Sequence, residues 1–474
     1  MRARRRWQRR YRCLRRAQPG PALAGTRPSP PLESSSEDDR SSTQEGAINN
    51  RELIELETPR EKAILVGAPR KSEPVQVTDE HLEELERLAD TAGVEVVGTL
   101  IQRVDKPNPR TYIGEGKVEE LKAQAAAEGA TLVIFDDELS PAQGRNLEKE
   151  IGTRLMDRAE LILDIFATRA RSAEARAQVE LAQLQYLRPR LTRMWAHLSR
   201  IRGGPGMRGP GETQLETDRR MVDIRIARLK DDLERVARHR QTQRKGRAGE
   251  LRVSLVGYTN AGKSSILRAV SGADVFVEDR LFATLDPTTR DVDVGEGYDV
   301  LLTDTVGFIR KLPHHLVASF RATLEEAAEA DLLLHVVDSS HPGWEEQKDV
   351  VDQVLADLKM REQPQVLVFN KVDRLTHGEE EALHQRNHGR RAIFTSTVEE
   401  GGTEPLRELL RQEARKLRPD TRITLNSSQG ALLAEIYRDG EVLEREDEGS
   451  EIRLRARLPE ATMGRLRSKG VVIE

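Results

Sequence analysis

GYTNAGKSS, residues 257–265, follows the apolar run RVSLV and leads into a helical pattern. A glycine-rich turn between strand and helix matches G-x-x-x-x-G-K-[ST], the pattern of a phosphate-binding loop. Each position has a chemical task. Gly257 and Gly262 let backbone N–H groups turn inward around phosphate. Lys263 is placed to reach the β- and γ-phosphates, and Ser264 offers a hydroxyl to Mg²⁺. The helix N-terminus adds a favourable field for an anion. The loop as a whole, Gly257, Tyr258, Thr259, Asn260, Ala261, Gly262, Lys263, Ser264 and Ser265, is expected to wrap the phosphates.

Working outward, three more motifs follow strands in order. DTVGF (304–308) comes after VLLT. Asp304 is expected to hold Mg²⁺ through water, and the Gly307 N–H to sense the γ-phosphate, with Thr305 and Val306 between them. NKVD (370–373) comes after QVLVF. Asn370 and Asp373 are expected to bond a purine and Lys371 to pack its stem along the base, with Val372 part of the same binding motif. Asp373 would accept from the N1–H and 2-amino group of guanine. Adenine has neither donor and would leave a buried carboxylate unpaired. TST (395–397) comes after RAIF, and Ser396 and Thr397 are the candidates for closing the base pocket. The order implies a guanine-specific GTPase on a doubly wound parallel sheet, with GTP as substrate and Mg²⁺ as cofactor.

Between the first two motifs, LFATLDPTTR (281–290) supplies Thr284, Thr288 and Thr289 as candidates for a threonine that joins the metal site; Thr284 is favoured. The metal set is then Ser264, Thr284 and Asp304, and the catalytic set Lys263, Thr284 and Gly307. Phe308 stands where many GTPases carry a glutamine that orients the attacking water. A phenyl ring can neither donate nor accept, so slow intrinsic hydrolysis is expected, helped by a partner or by another group. Asn260 occupies a loop position from which some GTPases ligate potassium, so K⁺ is a further cofactor candidate.

Other segments have different rhythms. Residues 55–165 alternate apolar runs (KAILVGA, VEVVGTLIQ, ATLVIFDD) with helical patterns at 79–93 and 117–129, a small α/β domain. Residues 166–245 carry two apolar seams. One comprises Leu184, Leu187, Leu191, Met194 and Leu198; the other Val222, Ile226, Leu229, Leu233 and Val236. They imply an antiparallel helical hairpin. The GTPase domain spans 250–418, and 420–474 reads as a small α+β unit.

Net charge is −4, from 76 basic and 80 acidic residues, so any nucleic-acid surface must be a local patch. The single cysteine, Cys13, excludes a disulfide framework within the chain and suits a reducing cytosol. No apolar run reaches membrane-spanning length. Residues 1–50 read as an Arg-rich, then Ser/Pro-rich tail: a disordered extension, a start placed too far upstream, or a transit peptide.

These residues resemble one family. RGGPGMRGPGETQLETDRR (202–220), GYTNAGKSS, FATLDPTTR and DTVGFIRKLPHHLVASFRATLEEA (304–327) are similar to HflX GTPases of the Obg–HflX superfamily. NPRTYIGEGKVEEL (108–121) and the segment 157–191 are similar too. Pro205 departs from the family pattern, where isoleucine is expected. The resemblance implies an N-terminal α/β domain, a helical hairpin, a GTPase domain and a C-terminal domain. It also implies GTP-dependent binding to the large ribosomal subunit and its RNA, and the splitting or rescue of ribosomes under stress. A second, ATP-binding site in the N-terminal domain is said of the family, but GEGK (114–117) is too short a motif to carry it.

GGPGMRGPGE (203–212) superficially fits a dinucleotide fingerprint, yet it follows a helix rather than a strand. No acid occurs between Glu180 and Glu212, while Arg188, Arg190, Arg193, Arg200, Arg202 and Arg208 fall in that span. Arginine pairs with phosphate and stacks on bases, and glycine permits close backbone approach. The expectation is an RNA-binding loop carried by Arg200, Arg202 and Arg208, after which Thr213 and Glu216 restart the helix as a capping box. The chain is thus expected to be a cytoplasmic, monomeric, ribosome-associated GTPase. An ATP-driven RNA remodeller and a regulatory GTPase acting on a protein partner are the alternatives.

Overall fold

The computed structural model describes residues 60–191, 210–244, 250–272, 278, 280–312, 327–418 and 420–473. Arg200, Arg202 and Arg208 lie outside them, as do Met194 and Leu198.

The first α/β layer is a four-stranded parallel sheet in the order β2-β1-β3-β4. Its strands are β1 (Glu61–Gly67), β2 (Val94–Ile101), β3 (Leu132–Phe135) and β4 (Arg154–Asp157). Helices α1 (Val75–Thr91), α2 (Glu115–Ala127) and α3 (Pro141–Ile151) make the crossovers. LVIF of β3 is buried at every position, as a central parallel strand requires. Helix α1 starts four residues before the predicted 79–93, because Pro74 stands at its cap. Ser140 and Gln143 form the capping box that opens α3. The α3–β4 pair was not foreseen; β4 is only four residues long.

Helix α4 (Arg158–Arg169) leads to α5 (Ala173–Leu187), which packs against the 35-residue α6 (Pro210–Arg244). Leu181, Leu184, Leu191, Val222 and Leu229 form their seam, with Leu187, Ile226 and Leu233 partly buried beside it. Arg225 binds Glu180 through two bonds of 2.8 Å, and Arg188 reaches Asp223, so the helices run antiparallel. Because α6 begins at Pro210, Thr213 lies within the helix and cannot be its N-cap.

The central sheet has six strands in the order β10-β9-β8-β5-β7-β6. They are β5 (Leu251–Gly257), β6 (Thr288–Asp293), β7 (Asp299–Asp304), β8 (Leu332–Asp338), β9 (Gln365–Asn370) and β10 (Ala392–Thr395). All pairs are parallel except β6 with β7. Helix α7 (Lys263–Ser271) follows β5; α8 (Trp344–Asp357), α9 (His377–Arg386) and α10 (Glu404–Leu417) follow later strands. One core, including Leu255, Ile266 and Leu406, fills one side. A second core runs continuously from Leu85 and Phe166 to Val256, Phe282 and Phe308, so the first layer and the nucleotide-binding layer share buried apolar surface.

The last unit is an antiparallel sheet, β12-β13-β11-β14, carrying α11 (Gly430–Asp439) and α12 (Glu460–Ser468). Its strands are β11 (Asp420–Asn426), β12 (Glu441–Glu448), β13 (Glu451–Arg457) and β14 (Val472–Ile473). Tyr298 donates to Glu441 at 2.7 Å, and Arg415 binds the same carboxylate. No helix among the described residues is long and apolar enough to cross a membrane.

Candidate nucleotide-binding site

The loop after β5 emerges from the middle of the central sheet, between β7 and β8. It opens on a cavity of about 260 Å³. Thr259, Asn260, Gly262, Lys263, Ser264 and Ser265 line it from the loop. Thr284, Thr305, Gly307, Lys371, Asp373 and Thr397 line it from elsewhere. On the cavity wall, Gly262 and Gly307 are required by space. Gly262 has φ 96°, and a Cβ there would meet Asn370 Nδ2 at 2.2 Å. A Cβ on Gly307 would stand 2.7 Å from Thr259 Cα and 3.1 Å from Lys263 Nζ. The backbone N–H groups are therefore free to approach a ligand closely.

Lys263 is buried, and its ammonium donates to the carbonyls of Gly257 at 3.2 Å and Tyr258 at 2.9 Å. Burial pulls its pKa down to about 8, opposed by the Asp304 carboxylate. Asp304 is shifted the other way: burial raises it, while Lys263 and the hydroxyls of Ser264 and Thr284 oppose the rise. Ser264 Oγ lies 2.6 Å from Asp304 Oδ2 and 2.7 Å from Thr284 Oγ1, and Thr284 donates to the same Oδ2 at 2.9 Å. Asp304 Oδ1 is buried with no hydrogen-bond partner among the described residues. Two hydroxyl oxygens beside a desolvated carboxylate, all hard donors, fit a small divalent cation such as Mg²⁺. Ser264, Thr284 and Asp304 would hold it, and its charge would stabilise that carboxylate and neutralise phosphate oxygens. Thr288 and Thr289 instead belong to β6, opposite Asp304 and Thr303.

Asp373 receives the Ser396 hydroxyl at 2.7 Å, and Ser396 Oγ in turn accepts from the N–H groups of Val398 and Glu399. Asn370 is buried behind the loop, donating to the Ala261 carbonyl at 3.0 Å. Lys371 binds Asp338 at 2.6 Å and the Asn260 carbonyl at 2.9 Å. Ala261, Val306 and Phe308 are buried in cores rather than on the cavity wall, and Val372 sits in a short 3₁₀ turn.

Tyr258 departs most from its expected place. Its hydroxyl donates to Glu84 of α1 and accepts from the Arg310 N–H at 3.0 Å. Sequence reasoning missed the charged cluster around it. Arg158 bridges Glu84 and Asp136, Arg310 reaches Glu84 and the Glu80 carbonyl, and Lys311 binds Asp136 and Asp137. Only the pairing RK directly after DTVGFI hinted at partners for it. Phe282, also missed, donates its N–H to Thr259 Oγ1 at 3.0 Å.

Comparison with known proteins accords with this geometry. The family described as 50S ribosome-binding GTPase matches residues 252–371; GTP-binding GTPase N-terminal matches 79–167 and GTP-binding GTPase Middle Region 169–247. The GTPase HflX of Flavobacterium psychrophilum is 51% identical over 326 residues, 69% of this chain and 79% of that protein. The chain belongs to the HflX family of GTPases. The HflX protein of Magnetococcus marinus is 42% identical over 421 residues, covering 88% of this chain and 97% of the relative. Among solved structures, a GTP-binding protein from Sulfolobus solfataricus in complex with GDP aligns at 24% identity, with a TM-score of 0.40, over 75% of this chain and 99% of that one. As an HflX-family member the chain is a GTP-binding, GTP-hydrolysing enzyme.

Proposed function

We propose that this HflX-family chain uses GTP to control attachment to the large ribosomal subunit and its RNA, and that hydrolysis releases it after splitting or rescuing a ribosome. The observation that carries this is the meeting of Ser264, Thr284 and Asp304 beside Lys263. Thr284 comes from a segment that can be held by γ-phosphate contacts and let go without them, so the nucleotide sets a conformation rather than driving chemistry elsewhere. Gly307 offers its N–H on the same cavity, and Asp373 with Asn370, Lys371, Ser396 and Thr397 selects guanine. Support for the partner comes from the description of the family matched by residues 252–371 and from the arginine-rich, acid-free sequence between Glu180 and Glu212. In this reading Arg200, Arg202 and Arg208 contact ribosomal RNA.

Phe308 is buried and cannot orient water, so intrinsic turnover is slow and the ribosome stimulates it. Potassium beside Asn260 is part of the same proposal; equal rates in potassium and sodium would remove it. The test is co-sedimentation of the protein with large subunits in the presence of a non-hydrolysable GTP analogue or GDP. Tighter binding with the analogue is expected, and equal binding overturns the proposal.

A further inference from the structure

The segment bearing Thr284 is tied on both flanks to helices outside the nucleotide-binding sheet. On one flank, Phe282 packs edge-on against Phe166 of α4, with ring centroids 4.7 Å apart and planes at 79°. Both rings are at most 2% exposed. On the other flank, Asp286 accepts from the N–H of Arg171 at 2.9 Å and of Ser172 at 3.2 Å, and its second oxygen receives the Ser172 hydroxyl. Ser172 is itself the N-cap of α5, accepting from the Ala175 N–H at 3.0 Å. A third tie joins Arg169, the last residue of α4, to Glu278 on the cavity wall at 2.5 Å.

These contacts are chemically directed. A helix N-terminus presents unpaired N–H groups and a partial positive charge, and a carboxylate is a strong partner for both. Asp286 therefore extends the cap of α5, while Thr284, two residues away, bonds Asp304 across the cavity. Phe282 Cα is fixed twice, by its N–H on Thr259 and by its ring on Phe166. Thr284 is thus suspended between two anchors that belong to the α4–α5 junction, the root of the helical hairpin.

We propose that Phe166 and Ser172 are positioning residues for GTP hydrolysis: through Phe282 and Asp286 they set Thr284 over the cavity, and the same contacts carry the nucleotide state to the first turn of α5. The inference rests on the reading of Thr284 as a group that closes on the bound nucleotide. A displacement of about 1 Å at such a group lowers turnover by up to ~100-fold.

The experiment uses the full chain with five substitutions, Thr284→Ala, Asp286→Ala, Asp286→Asn, Ser172→Ala and Phe166→Leu. Thr284→Ala tests the underlying reading, since its turnover should collapse whatever the hairpin does. Asp286→Ala and Phe166→Leu are expected to lower kcat about tenfold or more, with KM for GTP and affinity for GDP within about twofold of the parent. Asp286→Asn keeps one acceptor and should recover most of the loss; Ser172→Ala should fall between. Hydrogen exchange supplies a second readout. The amides of Ser172 and Ala175 should be better protected with GTP analogue than with GDP in the parent, and equally protected in Asp286→Ala. Full turnover in Asp286→Ala and Phe166→Leu, alongside a dead Thr284→Ala, overturns the positioning role while sparing the site. Parallel loss of GDP affinity and kcat overturns it too, because it marks general damage to the fold.

Discussion

The Ser396 hydroxyl donates to Asp373 Oδ1 at 2.7 Å and so fixes a carboxylate on the wall of the nucleotide cavity, the one proposed to read the base. A carboxylate held this way offers acceptors only, which suits the N1–H and 2-amino donors of guanine. Asp373→Asn puts an amide donor in that place. Xanthine, with a 2-oxo group, suits it better. GTP affinity is expected to fall by at least about a hundredfold and XTP affinity to rise, since an unmet buried polar group costs ~1–3 kcal/mol per partner. Ser396→Ala keeps the chemistry and loses only the orientation, a drop of about fivefold. Competition binding with GTP, XTP and ATP checks both; an unchanged preference in Asp373→Asn removes Asp373 from base recognition.

Lys263 supplies a pH dependence whose sign can be worked out. With its pKa pulled down to about 8 by burial, it is mostly charged at pH 7 and mostly neutral at pH 9. Contact with a triphosphate favours the ammonium and raises the pKa in the complex, so binding takes up a proton above pH 8. GTP affinity should be constant below the free-protein value and fall by about tenfold between pH 7 and pH 9. Lys263→Met should bind weakly at every pH with no such slope. Calorimetry in buffers of differing ionisation enthalpy reads the proton directly, and absence of uptake at pH 8.5 would sink the prediction.

The nucleotide side of this molecule was legible because phosphate chemistry constrains sequence locally. The β5 loop, DTVGF and NKVD each follow a short buried strand, and the strands appear where those motifs demand them. β6 escaped notice because it is an antiparallel edge strand, TTRDVD, mostly exposed and without an apolar run. The tie of Tyr258 to Glu84, 174 residues away in sequence, could not be read at all. A charged residue on the amphipathic α1 looks like solvated surface until another layer buries it. The same holds for Asp286, whose partner is the unpaired end of a helix rather than a side-chain motif.

Phe308 invites a tempting substitution with an unfavourable outcome. Placing glutamine there would supply the residue type that orients water in many GTPases. Yet Phe308 is 1% exposed and packs in the core shared with the first α/β layer. Phe308→Gln would bury an amide among apolar neighbours and leave a gap, at a cost of about 3–5 kcal/mol. The expected result is a lower Tm and no gain in kcat. A faster, equally stable variant would show that the side chain can turn into the cavity.

The Arg158 cluster supplies the last prediction. Arg158 is fully buried between Glu84 and Asp136, and Asp136 also receives Lys311. Burial alone would raise the Asp136 pKa, but Arg158 and Lys311 outweigh it and hold the carboxyl below its ordinary range. A carboxylate whose folded pKa is depressed contributes stability that is complete above its unfolded value of about 4 and disappears as pH falls through the lower folded value. Removing Arg158 leaves two buried carboxylates short of a cation. Arg158→Met should therefore destabilise the fold by about 3–5 kcal/mol at pH 7. Because the lost partner was the source of the depression, the deficit should shrink as pH drops below 4, where Asp136 takes up a proton. In Arg158→Met, Glu84→Gln and Asp136→Asn should each recover part of the loss. Denaturation midpoints measured from pH 3 to pH 7 read this directly, and a deficit that does not depend on pH would mean that Arg158 acts by packing rather than by charge.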